Sequence, residues 1–111
     1  MIYLASPYSH TDLCVREARY DAACCAAAKL IAQGHVVFSP VAHSHGIVRY
    51  GLPVDWKFWE RQDRRFVEMC DELWALKLDG WHESIGVQAE IDLALEIGKA
   101  VRFLSADECQ H

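Results

Sequence analysis

No run of eighteen apolar residues occurs in this 111-residue chain, so no membrane-spanning helix is expected. The start carries no basic, apolar, small-residue leader, and the expected compartment is the cytoplasm. Neither GxGxxG nor GxxxxGK(S/T) is present, which disfavours a dinucleotide fingerprint and a P-loop. CxxC is missing as well. The five cysteines, at 14, 24, 25, 70 and 109, leave one over from any pairing, and three lie in an alanine-rich stretch that suits small packing residues. They are read as structural thiols, not as a zinc site. Positive charge is also scarce, because 11 Lys and Arg face 16 Asp and Glu for a net charge of −5. That counts against a nucleic-acid polymer or an anionic membrane as partner.

With 52% hydrophobic and 24% charged residues, the composition fits one soluble domain spanning residues 1–111. A chain this short buries about two-thirds of its surface, so a homodimer or higher homo-oligomer is expected.

Apolar and polar residues alternate between two kinds of pattern. "IYLA" (2–5) reads as a strand ended by Ser6-Pro7. Asp12 can cap a long helix running to about Gln33, with Gly34 as its stop. "HVVF" (35–38) reads as a second strand, followed by a long loop through Pro53. A helix from about Asp55 to Cys70, a strand over 72–78, a helix capped by Ser84 and stopped by Gly98, and a strand over 100–104 complete the chain. Strands alternating with helices imply a doubly wound, Rossmann- or flavodoxin-like α/β domain with a mostly parallel sheet of about four or five strands. Ligands in such sheets bind beyond the carboxyl ends of the strands. Three loops meet there: 6–11, 39–53 and 79–86.

Two acids sit where apolar residues belong. In the helix after Ser84, the polar residues Gln88, Asp92 and Glu96 recur every fourth position, yet Glu90 lies on the opposite side among Val87, Ile91 and Leu93. A carboxylate there must be partly exposed, paired, protonated or used, because burying it bare costs on the order of several kcal/mol. In the preceding helix, Asp63 shares the stripe of Trp56, Trp59, Phe66 and Val67. A salt bridge to Arg64 or Arg65 would explain it, and so would a paired-carboxylate site. In such a site one carboxylate attacks an oxocarbenium-like carbon while the other positions substrate or manages a proton. Glu90 is the better nucleophile, since a place early in a helix favours its ionised form.

"IYLASPYS", "RQDRRFVEMCDELWAL" and "DGWHESIGVQAEIDLALEIGKAV" resemble the nucleoside 2-deoxyribosyltransferase-like superfamily, and "YLASPYSH", "VVFSPVAHSH" and "GVQAEI" resemble its short DUF1937 members over almost the whole chain. The superfamily pattern S/D-x-G-x-x-x-E-x-x-x-A matches Ser84, Gly86, Glu90 and Ala94. The resemblance therefore implies that Glu90 attacks C1′ of a (deoxy)ribosyl group and expels the base. Asp63, eight residues before Asp71, matches the aspartate that contacts sugar or base, and Tyr3, Ser6 and Tyr8 match the sugar end of the first strand. Members acting on free nucleosides tend to carry aspartate at position 84, whereas serine accompanies nucleoside 5′-monophosphates.

The resemblance thus implies cleavage of the N-glycosidic bond of a (deoxy)nucleoside 5′-monophosphate through a glycosyl-glutamate. Base exchange between nucleosides and non-catalytic nucleotide sensing are the alternatives. The chain stops soon after its fourth strand, where longer members continue and donate residues to a neighbouring copy. His43 and His45 are candidates for protonating the leaving base, Trp81 is the preferred tryptophan for stacking on it, and Arg16 and Arg19 read better as a solvated face than as phosphate ligands. His43-x-His45 has no third ligand at recognisable spacing. No metal and no organic cofactor is expected, and the partner is a small-molecule nucleoside or nucleotide.

Overall fold

A computed structural model describes residues 1–109, with the side chains of 108 and 109 outside the description, so the thiol of Cys109 lies outside the described residues. The first strand, β1 (Ile2–Ala5), is buried along its whole length. Its side chains alternate between two cores, as a strand with both faces covered requires. Leu4 meets Ala26, Ala27 and Leu30 of α1 (Leu13–Ala32), together with Leu76, on one face. Tyr3 and Ala5 meet Val67, Val87, Ile91 and Ala94 on the other.

The alanines of α1 have a packing reason: Ala23, Ala26 and Ala27 are buried, and small side chains let the helix lie close to the sheet. Asp12 caps the helix by accepting from the Cys14 N–H at 2.8 Å. At the other end Gly34 takes φ +98°, the left-handed conformation that glycine adopts without strain. The next N–H, of His35, returns to Leu30 O at 3.1 Å. That bond closes α1 and leaves the second strand, β2 (Val37–Phe38), shorter than the 35–38 expected.

The region expected as a loop over 39–53 contains a helix, α2 (Pro40–Val48). Its start is well specified. Ser39 Oγ accepts from the Ala42 N–H at 3.1 Å, and Pro40 occupies the first turn, where its missing N–H costs nothing. Ser39→Ala is expected to lose about 1 kcal/mol of stability, read as a lower denaturation midpoint with unchanged slope.

The chain continues through α3 (Trp56–Met69), β3 (Glu72–Lys77), α4 (Ile85–Glu96), β4 (Ala100–Ser105) and a 3-10 turn (Ala106–Cys109). The four strands are all parallel in the order β2-β1-β3-β4. Register pairs Tyr3 with Leu73 and Ala5 with Ala75, which aligns the apolar face that α3 and α4 cover. The fold is therefore the doubly wound, Rossmann- or flavodoxin-like α/β domain that the sequence implies. From β1 the chain winds one way to β2 and then back past β1 to β3. This order creates a switch point between β1 and β3, where the loops leaving the two strands diverge. No helix among the described residues is long and apolar enough to cross a membrane.

Candidate active site

A cavity of about 570 Å³ opens at that switch point. It is a size suited to a small organic ligand. Ser6, Tyr8 and Ser9 border it from the loop after β1, and Gly80, Glu83 and Ser84 from the loop after β3. Its other walls include Pro40 and Val41 of α2, Trp56, Trp59 and Asp63 of α3, and Gly86, Val87 and Glu90 of α4.

Both misplaced acids face this space. Glu90 is only 4% exposed, although it borders the cavity. The Tyr3 hydroxyl, itself buried beneath β1, donates to Glu90 Oε2. Burial pushes the Glu90 carboxyl up to about 8; the Tyr3 hydrogen bond opposes that rise, and the nearby charge of Asp63 adds to it. Burial together with the Glu90 charge drives the Tyr3 phenol well above its ordinary value. A place early in the helix favours an ionised Glu90, and burial acts against it. Glu90 lies in the second turn of α4, where the dipole is weak, and loss of water dominates.

Asp63 is half-buried, and burial raises its carboxyl to about 7. The arginine explanation fails for it. Arg64 pairs with Glu60 and Arg65 with Glu68, each at 3.8 Å, and among the described residues no cation pairs with Asp63. A carboxyl turned away from two neighbouring arginines and toward a cavity is available for chemistry.

Around this pair, Ser6 is buried and its Oγ has no hydrogen-bond partner although it borders the cavity. A buried hydroxyl left unpaired costs about 1–3 kcal/mol, which a bound ligand can relieve. Ser84 caps α4 by accepting from the Val87 N–H at 3.2 Å. At Gly86 a Cβ would stand 3.5 Å from the Trp56 ring, an ordinary contact distance.

Other expected contacts fall elsewhere. Trp81 does not border the cavity; it packs on the apolar core and against Phe103, at 5.7 Å between ring centres. Trp56 and Trp59 take its place, and Trp59 is held by its indole N–H donating to Pro53 O at 2.8 Å. The signal was present, since both share the stripe of Asp63. His43 lies against Phe38 and Phe66, outside the cavity lining. His45 touches the site only through Tyr8, whose hydroxyl is 2.7 Å from its Nδ1, while its ring stacks on Tyr20. Neither histidine borders the cavity. Arg16 is bound to His10 O at 2.5 Å and does not border the cavity, whereas Arg19 does, contrary to its expected place on a solvated face. Among the described residues, no group of three or more His, Cys, Asp or Glu could hold a metal ion.

No curated protein matches the chain. The family model for the domain of unknown function DUF1937 matches residues 1–106, almost the whole length, and the chain belongs to that family.

Proposed function

We propose that the chain cleaves the N-glycosidic bond of a (deoxy)nucleoside 5′-monophosphate. One observation carries the reading: two carboxyls without cationic partners, Glu90 and Asp63, border one cavity at the switch point of the sheet. The resemblance of the segment from Ser84 to Ala94 to the nucleoside 2-deoxyribosyltransferase-like superfamily supports the same assignment.

In this reading a Glu90 oxygen forms a bond to C1′ while the C1′–N bond breaks, and the electron pair leaves with the base. Asp63 supplies the proton to the departing base. That role suits a carboxyl whose value lies near 7, so that both forms are populated at neutral pH. Tyr3 holds the other Glu90 oxygen and stabilises the carboxylate as it forms. Water then adds at C1′, returns a proton to Asp63 and releases Glu90 and the free sugar phosphate. Ser84 and Gly86 sit at the 5′ end, with Trp56 and Trp59 as the surfaces on which the base lies.

The reactive form carries the pair's one proton on Asp63 with Glu90 ionised; because Glu90 lies higher than Asp63, this is the minor singly protonated arrangement, reached when the proton passes from Glu90 to Asp63. The pair titrates near 7 and 8, so kcat/KM is expected to be bell-shaped, falling below about pH 7 as both become protonated and above about pH 8 as both ionise. A profile that stays flat from pH 5 to 9 would rule out the shared proton.

Incubation with a panel of nucleosides and 5′-monophosphates, followed by chromatography of released base, tests the activity itself. Base appears with the 5′-monophosphates if the reading is correct. Addition of a second free base distinguishes hydrolysis from base exchange. A non-catalytic sensor is favoured by one feature, the proton that Glu90 holds at neutral pH, and tight binding with no base released would establish it.

A further inference from the structure

We propose that Arg19, on the first turns of α1, is the residue that selects a phosphorylated substrate over the corresponding neutral nucleoside. The inference rests on the nucleotide reading of the cavity but concerns a residue outside the motifs that suggested it.

Arg19 borders the cavity, and its guanidinium is clamped between the two diverging loops. Nη1 donates to Ser9 O at 2.9 Å, in the loop after β1, and Nη2 to Asp79 O at 3.3 Å, in the loop after β3. The chain makes room for it at Gly80, where a Cβ would stand 2.6 Å from Nη2 and where φ is +86°. Two backbone carbonyls therefore fix the plane of the fork, and among the described residues no carboxylate pairs with it. A guanidinium has five N–H donors. Two are used here, and those left over can address an anion in the cavity.

Charge explains why such a residue is needed. Asp55, Asp63, Glu83 and Glu90 all border the space, against Arg19 and Lys57 as cations. Even with one proton held between Glu90 and Asp63, a phosphate dianion approaching these acids requires a cation already in position. Lys57 is exposed on a flexible stem, whereas Arg19 is pre-positioned and loses little freedom on binding. The unpartnered Ser6 hydroxyl, buried in the same cavity, supplies a neutral donor to the same ligand.

The test compares a nucleoside 5′-monophosphate with its parent nucleoside in the wild-type chain and in Arg19→Gln and Arg19→Lys. Arg19→Gln is expected to lower the ratio of kcat/KM for monophosphate over nucleoside by about 10- to 100-fold, mainly through KM, as loss of a hydrogen bond to a charged group implies. Arg19→Lys restores part of that ratio. Calorimetric titration of the same two ligands into Glu90→Gln, with and without Arg19→Gln, reads the preference without turnover, so absence of catalysis leaves the selector question answerable. Equal loss toward both ligands together with a lower melting temperature would make Arg19 a strut between loops. That result, an unchanged ratio, or a wild-type chain with no preference for the monophosphate would each overturn the proposal.

Discussion

Glu90→Gln is expected to reduce base release by at least about 10³-fold while the fold stays intact and the nucleotide still binds. The reason is that glutamine keeps the shape of the side chain and its ability to accept the Tyr3 hydrogen bond, but it cannot form the ester through which C1′ is transferred. Removal of a nucleophile that has no substitute leaves only binding and electrostatic contributions to the rate. The loss is expected in kcat, with KM little changed. Steady-state assays of base release alongside calorimetric titration of the variant separate chemistry from binding. A Glu90→Gln chain that turns over at the wild-type rate would remove Glu90 from the mechanism.

The same substitution is expected to stabilise the protein, and to do so only toward alkaline pH. Folding raises the Glu90 carboxyl from an ordinary value of 4.5 to about 8. Between those values the folded chain holds a proton that the unfolded chain has released, so stability falls as pH rises through that window. Above about pH 8 the penalty is complete and constant. Well below pH 4.5 it vanishes, because both states are then protonated. Asp63, raised to about 7 by burial, adds a smaller contribution of the same sign.

Glutamine carries no such proton. Glu90→Gln should therefore match the wild type near pH 4 and exceed it by on the order of 2–4 kcal/mol at pH 8 and above. For a domain of this size each kcal/mol moves the melting temperature by about 4–8 °C. Melting curves for both proteins from pH 4 to 9 give the result directly. A difference that does not grow with pH would mean that Glu90 is ionised at little cost, and the burial argument would fail. Together the two effects describe a site that trades stability for a poised carboxyl.

Both acids were legible before the fold was known because each violates a pattern. Glu90 interrupts the apolar face of α4, and Asp63 interrupts the stripe of α3. The strands and most helices were legible for the opposite reason, that alternation, caps and glycine stops agree with one another. Helix α2 was missed because its sequence, PVAHSHGIV, carries no apolar period and contains glycine; the Ser39-Pro40 start was the signal available. The loop position of Trp81 favours it over Trp56 and Trp59, whereas its packing is set by Phe103 of β4, which only the sheet order brings near. The sequence favours a solvated face for Arg19 on similar grounds. It stands on the polar side of a helix, and nothing local indicates that the loops at Ser9 and Asp79 converge on it.

The stereochemistry at C1′ distinguishes a glutamate nucleophile from direct attack by water. Turnover of a β-nucleoside 5′-monophosphate in dilute methanol, followed by proton NMR of the methyl glycoside before any rearrangement, reads it. Two displacements at Glu90 give the β-glycoside, with configuration retained. An α-glycoside, formed by a single inverting attack, would contradict a covalent role for Glu90 whatever the fate of its variants.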